Sequence, residues 1–139
     1  MLAILISQYE PVRSALKNGI KMGNFNVELV EKFNKSDIQP KKIVEMLSRH
    51  KKIYLIIDLD TKSRAGLEVS YFSKSLLDIA IELSSIKGLS ILPIISDTSH
   101  NRYKPFLDET KIPYHHLLFK PFNAFQLNRF LLSNLPNKI

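Results

Sequence analysis

Two near-continuous apolar runs, Ile53 to Ile57 and Leu89 to Ile95, constrain the fold of this chain more than any other feature. Both are short and rich in β-branched side chains, and they lack the apolar–polar alternation of a strand with one wet face. That pattern belongs to parallel strands covered on both sides. Parallel neighbours cannot be joined by a hairpin, so they need crossover connections, usually helices. The rest of the sequence has to provide those helices and further strands.

It does so in regular order. Leu2 to Ser7 is a strand-like run, and Glu10-Pro11 suits the first turn of a helix, where proline's missing N–H costs nothing. Val12, Ala15, Leu16, Gly19 and Ile20 then recur at helical spacing, and Gly23-Asn24 supplies the stop. Val27 and Leu29 alternate with polar neighbours as in a half-buried strand. Pro40 opens a second helix with Ile43, Met46 and Leu47 inward and basic residues outward. Past Ile57 the chain runs through Asp58-Leu59-Asp60 into a polar loop with Lys62, Ser63, Arg64 and Gly66. A long helix follows, marked by Phe72, Leu76, Ile79, Ala80, Leu83 and Ile86 and closed by Lys87-Gly88. After Leu89 to Ile95, Pro105 limits the next helix to a short one beginning near Tyr103. Tyr114 to Phe119 reads as the last strand. Asn123 with Gln126 predicts a capping box for a terminal helix carrying Leu127, Phe130, Leu131 and Leu135. Five strand–helix repeats predict an α/β fold, a doubly wound five-stranded parallel sheet in a flavodoxin-like three-layer sandwich, with residues 1–139 as one domain.

Function in such sheets gathers at the carboxyl ends of the strands. Those positions hold Ser7, Gln8 and Tyr9 after the first strand, Asp58 and Asp60 after the third, Thr98 and Ser99 after the fourth, and Lys120-Pro121-Phe122 after the fifth. A carboxylate, a hydroxyl and a lysine are therefore expected in one cleft. Asp58 is followed eight residues on by Gly66, Thr98 lies five residues after Pro93, and Lys120 lies twenty-two residues after Thr98. With these motifs in register on five strand–helix units, the whole chain resembles the receiver domain of bacterial two-component response regulators. The resemblance implies that Asp58 is the phosphoacceptor position, that Thr98 hydrogen-bonds the phosphoryl group, and that Lys120 pairs with the phosphoryl or the carboxylate. It implies partnership with a histidine kinase or a downstream signalling protein. It also implies a shared output and homodimer face on the fourth helix, fifth strand and fifth helix, about residues 103–135, with Tyr103, Phe106, Phe125 and Phe130 as anchors.

The departures from the family pattern carry equal weight. Receivers hold Mg²⁺ with an acidic pair after the first strand. One alignment puts Gln8 and Tyr9 there and another puts Ser7 and Gln8, and neither supplies a carboxylate. Mg²⁺ usually takes one or two carboxylates plus waters and phosphate, which leaves Asp58, Asp60 and Glu10 as the only candidate ligands. Phosphoryl transfer relies on positioning and on the metal's charge, so a site without its metal is slow or inactive. Lys62 in place of a usual proline and Leu117 in place of a switching aromatic agree with that. The expectation is an atypical receiver without a cofactor, not an enzyme, acting by protein contact. The alternative is a working receiver that accepts phosphate on Asp58. Against both stands a purely structural carboxylate ion-paired with Lys120.

Composition removes other classes. With no cysteine, thiolate chemistry and Cys-ligated metals are excluded. The apolar runs are far short of the roughly 20 residues of a membrane helix, and Met1 leads into a strand without a basic signal region, so a cytoplasmic protein is expected. The net charge of +7 raises nucleic acid as a partner through Lys41, Lys42, Arg49 and Lys52. That run has few interleaved aromatics, and a solvated helix face is the preferred account. His115 and His116, adjacent on an expected strand, point to opposite faces and share no metal. Tyr71, Leu77 and Ile81 form either an exposed apolar patch or a surface buried under a loop.

Overall fold

The computed structural model describes residues 1–7, 9–31, 40–59, 82–96, 104, 108 and 111–137. The elements in chain order are β1 (Leu2–Ile6), α1 (Glu10–Met22), β2 (Glu28–Glu31), α2 (Pro40–Leu47), β3 (Ile53–Asp58), β4 (Leu89–Ser96), a 3-10 turn (Tyr114–His116), β5 (Leu118–Lys120) and α3 (Ala124–Asn134). The five strands form one sheet in the order β2-β1-β3-β4-β5, and every pairing is parallel. This is an α/β fold compatible with a flavodoxin-like arrangement.

The sheet is apolar on both faces because its strands present alternate residues to two separate clusters. Leu2, Ile4, Ile53, Leu55, Ile57, Leu89 and Ile91 pack with Ile43 of α2 and with Leu83. Leu5, Ile56, Leu92 and Ile94 pack with Val12, Leu16 and Ile20 of α1 and with Leu127, Phe130 and Leu131 of α3. The continuous apolar runs are explained by this two-sided burial. Phe130, expected as an exposed anchor, is instead only 6% exposed, because the helical spacing that puts Leu127 and Leu131 inward carries Phe130 with them.

Local signals set the helix ends. Proline stands in the first turn of α1, and the N–H of Gly23 closes it on the carbonyl of Gly19. Gly23 has an ordinary negative φ, so its requirement is space: a Cβ there would lie 2.3 Å from the Phe25 ring. Gly88 does need its conformational freedom, with φ at 91°, and its carbonyl accepts the N–H of Ile53. The capping box of α3 forms as expected, with Asn123 and Gln126 exchanging backbone and side-chain bonds.

The last strand is shorter than its sequence suggests. Residues 114–116 form the 3-10 turn, and only Leu118–Lys120 pair with β4. The turn satisfies its donors locally, His116 N–H on Pro113 O and Leu117 N–H on Tyr114 O, while the Asn134 side chain holds His115 O. Tyr114 of the turn packs on Phe119 of β5, with ring centroids 5.5 Å apart.

Candidate functional site

The strand order reverses between β1 and β3, and in open parallel sheets the carboxyl ends at such a point are where ligands bind. Ile6 pairs with Ile57, so the next residues out, Ser7 and Asp58, stand side by side there. Asp58 pairs with Ile94, and the N–H of Leu59 continues the ladder onto Ile94 O. Its carboxylate is held by a backbone with little freedom to move, and Asp58 is 0% exposed.

Both carboxylate oxygens are engaged. Ser7 Oγ donates to Oδ2 at 2.9 Å, and Lys120 Nζ donates to Oδ1 at 2.8 Å. Lys120 ends β5 and must reach past β4, across about two strand spacings or roughly 10 Å, which a short polar side chain would not span. Its side chain is 17% exposed. Ser7 is also buried, and its oxygen accepts the N–H of Tyr9 at 3.2 Å. The Tyr9 ring lies with its centroid 4.9 Å from Lys120 Nζ. The peptide between Lys120 and Pro121 is cis.

Arg13 braces the same turn from α1. Its guanidinium donates to Ser7 O at 2.8 Å, pairs with Glu10, and lies 3.8 Å from Glu31 at the end of β2, where Lys17 also pairs. Polar contacts therefore run along the carboxyl edge from β2 through β1 and β3 to β5.

Of the residues singled out in the sequence, the structure brings Asp58, Lys120 and Ser7 together. Gln8, Asp60, Lys62, Gly66, Thr98, Tyr103 and Phe106, and the patch residues Tyr71, Leu77 and Ile81, lie outside the described residues. Glu10 gives its oxygens to Ser14 and Arg13, and those two bonds hold its carboxyl below the usual range, the Ser14 bond foremost. Among the described residues the side-chain oxygen donors at this point are one carboxylate and one hydroxyl, the lower end of what Mg²⁺, which usually takes one or two carboxylates with waters and phosphate, requires of a protein. Among the described residues no group of three or more His, Cys, Asp or Glu side chains is placed to hold a metal. The Ser7 bond had a legible signal, since Ser7 follows a five-residue buried run by one position, as Asp58 ends β3. The Tyr9 and Arg13 contacts had none.

His115 and His116 do not straddle a strand. In the 3-10 turn their rings meet edge to face with centroids 4.6 Å apart. Burial, then the His115 and Lys52 charges, hold the His116 imidazole below its ordinary value of 6.5, opposed by a hydrogen bond to the Ile91 backbone. A group with a depressed folded-state pKa takes up its proton more readily in the unfolded chain. Its contribution is fully present above pH 6.5 and is lost as pH falls below that value. Urea midpoints should therefore decline from about pH 6.5 to 5.5, and His116→Gln should remove part of that decline. An equal fall in both proteins would contradict the assignment.

Lys41, Lys42, Arg49 and Lys51 are exposed around α2, while Lys52 is half-buried with its ammonium 5.9 Å from the Tyr54 ring centroid. On α3, Phe125 is 72% exposed and Leu132, seven residues on, shares its outer side. Among the described residues no helix is long and apolar enough to cross a membrane. No family model matches this chain, and no curated protein matches it.

Proposed function

We propose that this chain is a receiver-like signalling domain of a bacterial two-component phosphorelay, doubly wound and flavodoxin-like, that acts by protein contact without Mg²⁺-dependent phosphorylation. The observation that carries this reading is the state of Asp58. It stands at a strand end where a receiver's phosphoacceptor is expected and pairs with Lys120 as in that family, yet its other oxygen accepts from the hydroxyl of Ser7, which follows the first strand where a receiver carries an acid. A receiver needs that carboxylate both as nucleophile and as metal ligand, and the metal neutralises charge during transfer. Here a hydroxyl stands where a second carboxylate would strengthen Mg²⁺ binding. The partner is a histidine kinase or a downstream signalling protein in the cytoplasm, met on the β5–α3 face through Phe125 and Leu132, a face that also suits a second copy of the chain.

Incubation with Mg²⁺ and acetyl phosphate, followed by intact mass measurement, tests the reading. The expected result is an unchanged mass. A phosphorylated species that disappears in Asp58→Asn would overturn it in favour of a working receiver.

A further inference from the structure

Tyr9 stands where a short polar side chain is usual, and its ring packs against the apolar cluster shared by α1 and α3. It is the N-cap of α1, a position where Ser, Thr, Asp or Asn is preferred because the side chain can accept an N–H of the first turn. Tyr9 makes no such side-chain bond. A residue that forgoes a capping bond is expected to gain something elsewhere in the fold. Beyond that packing, the Tyr9 ring lies with its centroid 4.9 Å from Lys120 Nζ, the ammonium that is bonded to Asp58.

We propose that Tyr9 is a positioning residue whose ring holds the Lys120 ammonium on Asp58, locking the β1–α1 turn to the end of β5. The negative face of an aromatic ring attracts a cation, more strongly where water is excluded. Lys120 needs such help, because four rotatable bonds separate its ammonium from the backbone. The backbone that carries it is a three-residue strand paired with β4 at the edge of the sheet. Tyr9 is well placed to supply it. Its N–H is bonded to Ser7 Oγ and its carbonyl accepts the N–H of Arg13, so the ring projects from a backbone fixed on both sides. Carboxylate, ammonium and ring form a stack that spans the carboxyl edge from β1 to β5. Only the consequence for signalling rests on the receiver-like reading: the stack would keep the β5–α3 face in one state. The contact itself does not depend on that reading.

The test uses the full chain labelled with ¹⁵N and ¹³C. In the unaltered protein the Lys120 ε-methylene resonances should be displaced upfield by the Tyr9 ring; ordinary lysine positions would overturn the proposal without any variant. Tyr9→Leu should return those resonances to ordinary positions and speed amide exchange over Leu118–Lys120 by about 5- to 30-fold. Tyr9→Phe, which keeps the ring, should retain both properties. Unchanged exchange in Tyr9→Leu, or a Tyr9→Phe that behaves like Tyr9→Leu, would sink the role of the ring. Phosphorylation of Asp58 would defeat the scaffold reading and leave this result standing, so the two failures are distinguishable.

Discussion

Lys120→Met is expected to lower the unfolding free energy by about 3–5 kcal/mol in urea denaturation. The size follows from what the substitution leaves behind. Asp58 has no exposure to water, and the substitution removes the cation bonded to its Oδ1 while leaving the neutral Ser7 hydroxyl on its Oδ2. A buried carboxylate stripped of its counter-charge loses the term that offset its desolvation. The reverse substitution is milder. In Asp58→Asn the amide carbonyl still accepts from Ser7, and Lys120, already 17% exposed, extends its ammonium toward water at a cost of about 1–2 kcal/mol. The double variant should then be more stable than Lys120→Met alone. A cost below about 1 kcal/mol for Lys120→Met would show that Asp58 does not depend on the pair.

Phe130→Ala should cost about 3–5 kcal/mol by the same measurement, and Phe125→Ala no more than about 0.5 kcal/mol. The two rings lie on one helix but have opposite environments. Phe130 packs among Leu127, Leu131 and the α1 side chains, so truncation opens a cavity between helix and sheet. Phe125 is 72% exposed and leaves no cavity. If α3 carries the partner face, Phe125→Ala should weaken partner binding while the fold is unchanged. Similar losses of stability for the two variants would contradict the burial described here.

Much of the architecture was legible beforehand, and the reason is local. The buried strands announced themselves through apolar runs that only a sheet covered on both faces accommodates, and α1 through proline in its first turn and glycine after its last. The Asn123–Gln126 box was readable because its four groups lie within three residues of one another. The last strand shows the limit. Residues 114–119 have strand-like chemistry and Leu118 and Phe119 do pair with β4, yet at 114–116 Pro113 and the Asn134 side chain satisfy the backbone in a turn, and Asn134 lies 19 residues from the carbonyl it holds. Phe130 fits the core stripe and an exposed anchor equally well in sequence, because helical spacing shows which residues share a face but not which face is covered.

The sequence by itself determined the order of the described strands and helices and the placing of Asp58, Ser7 and Lys120 at strand ends, since periodicity, caps and turn residues act between near neighbours. The long helix expected around residues 72–86 and the short one near Tyr103 lie largely outside the described residues. Only the tertiary structure decided what those residues do to one another. Ser7 meets Asp58 across 51 residues and Lys120 meets it across 62, and both contacts exist because strand order and register bring those ends to one edge. The Tyr9 ring over the lysine is a matter of side-chain direction within that edge, which no spacing rule encodes. Register and side-chain direction are products of the whole packed core, which sequence spacing alone does not specify.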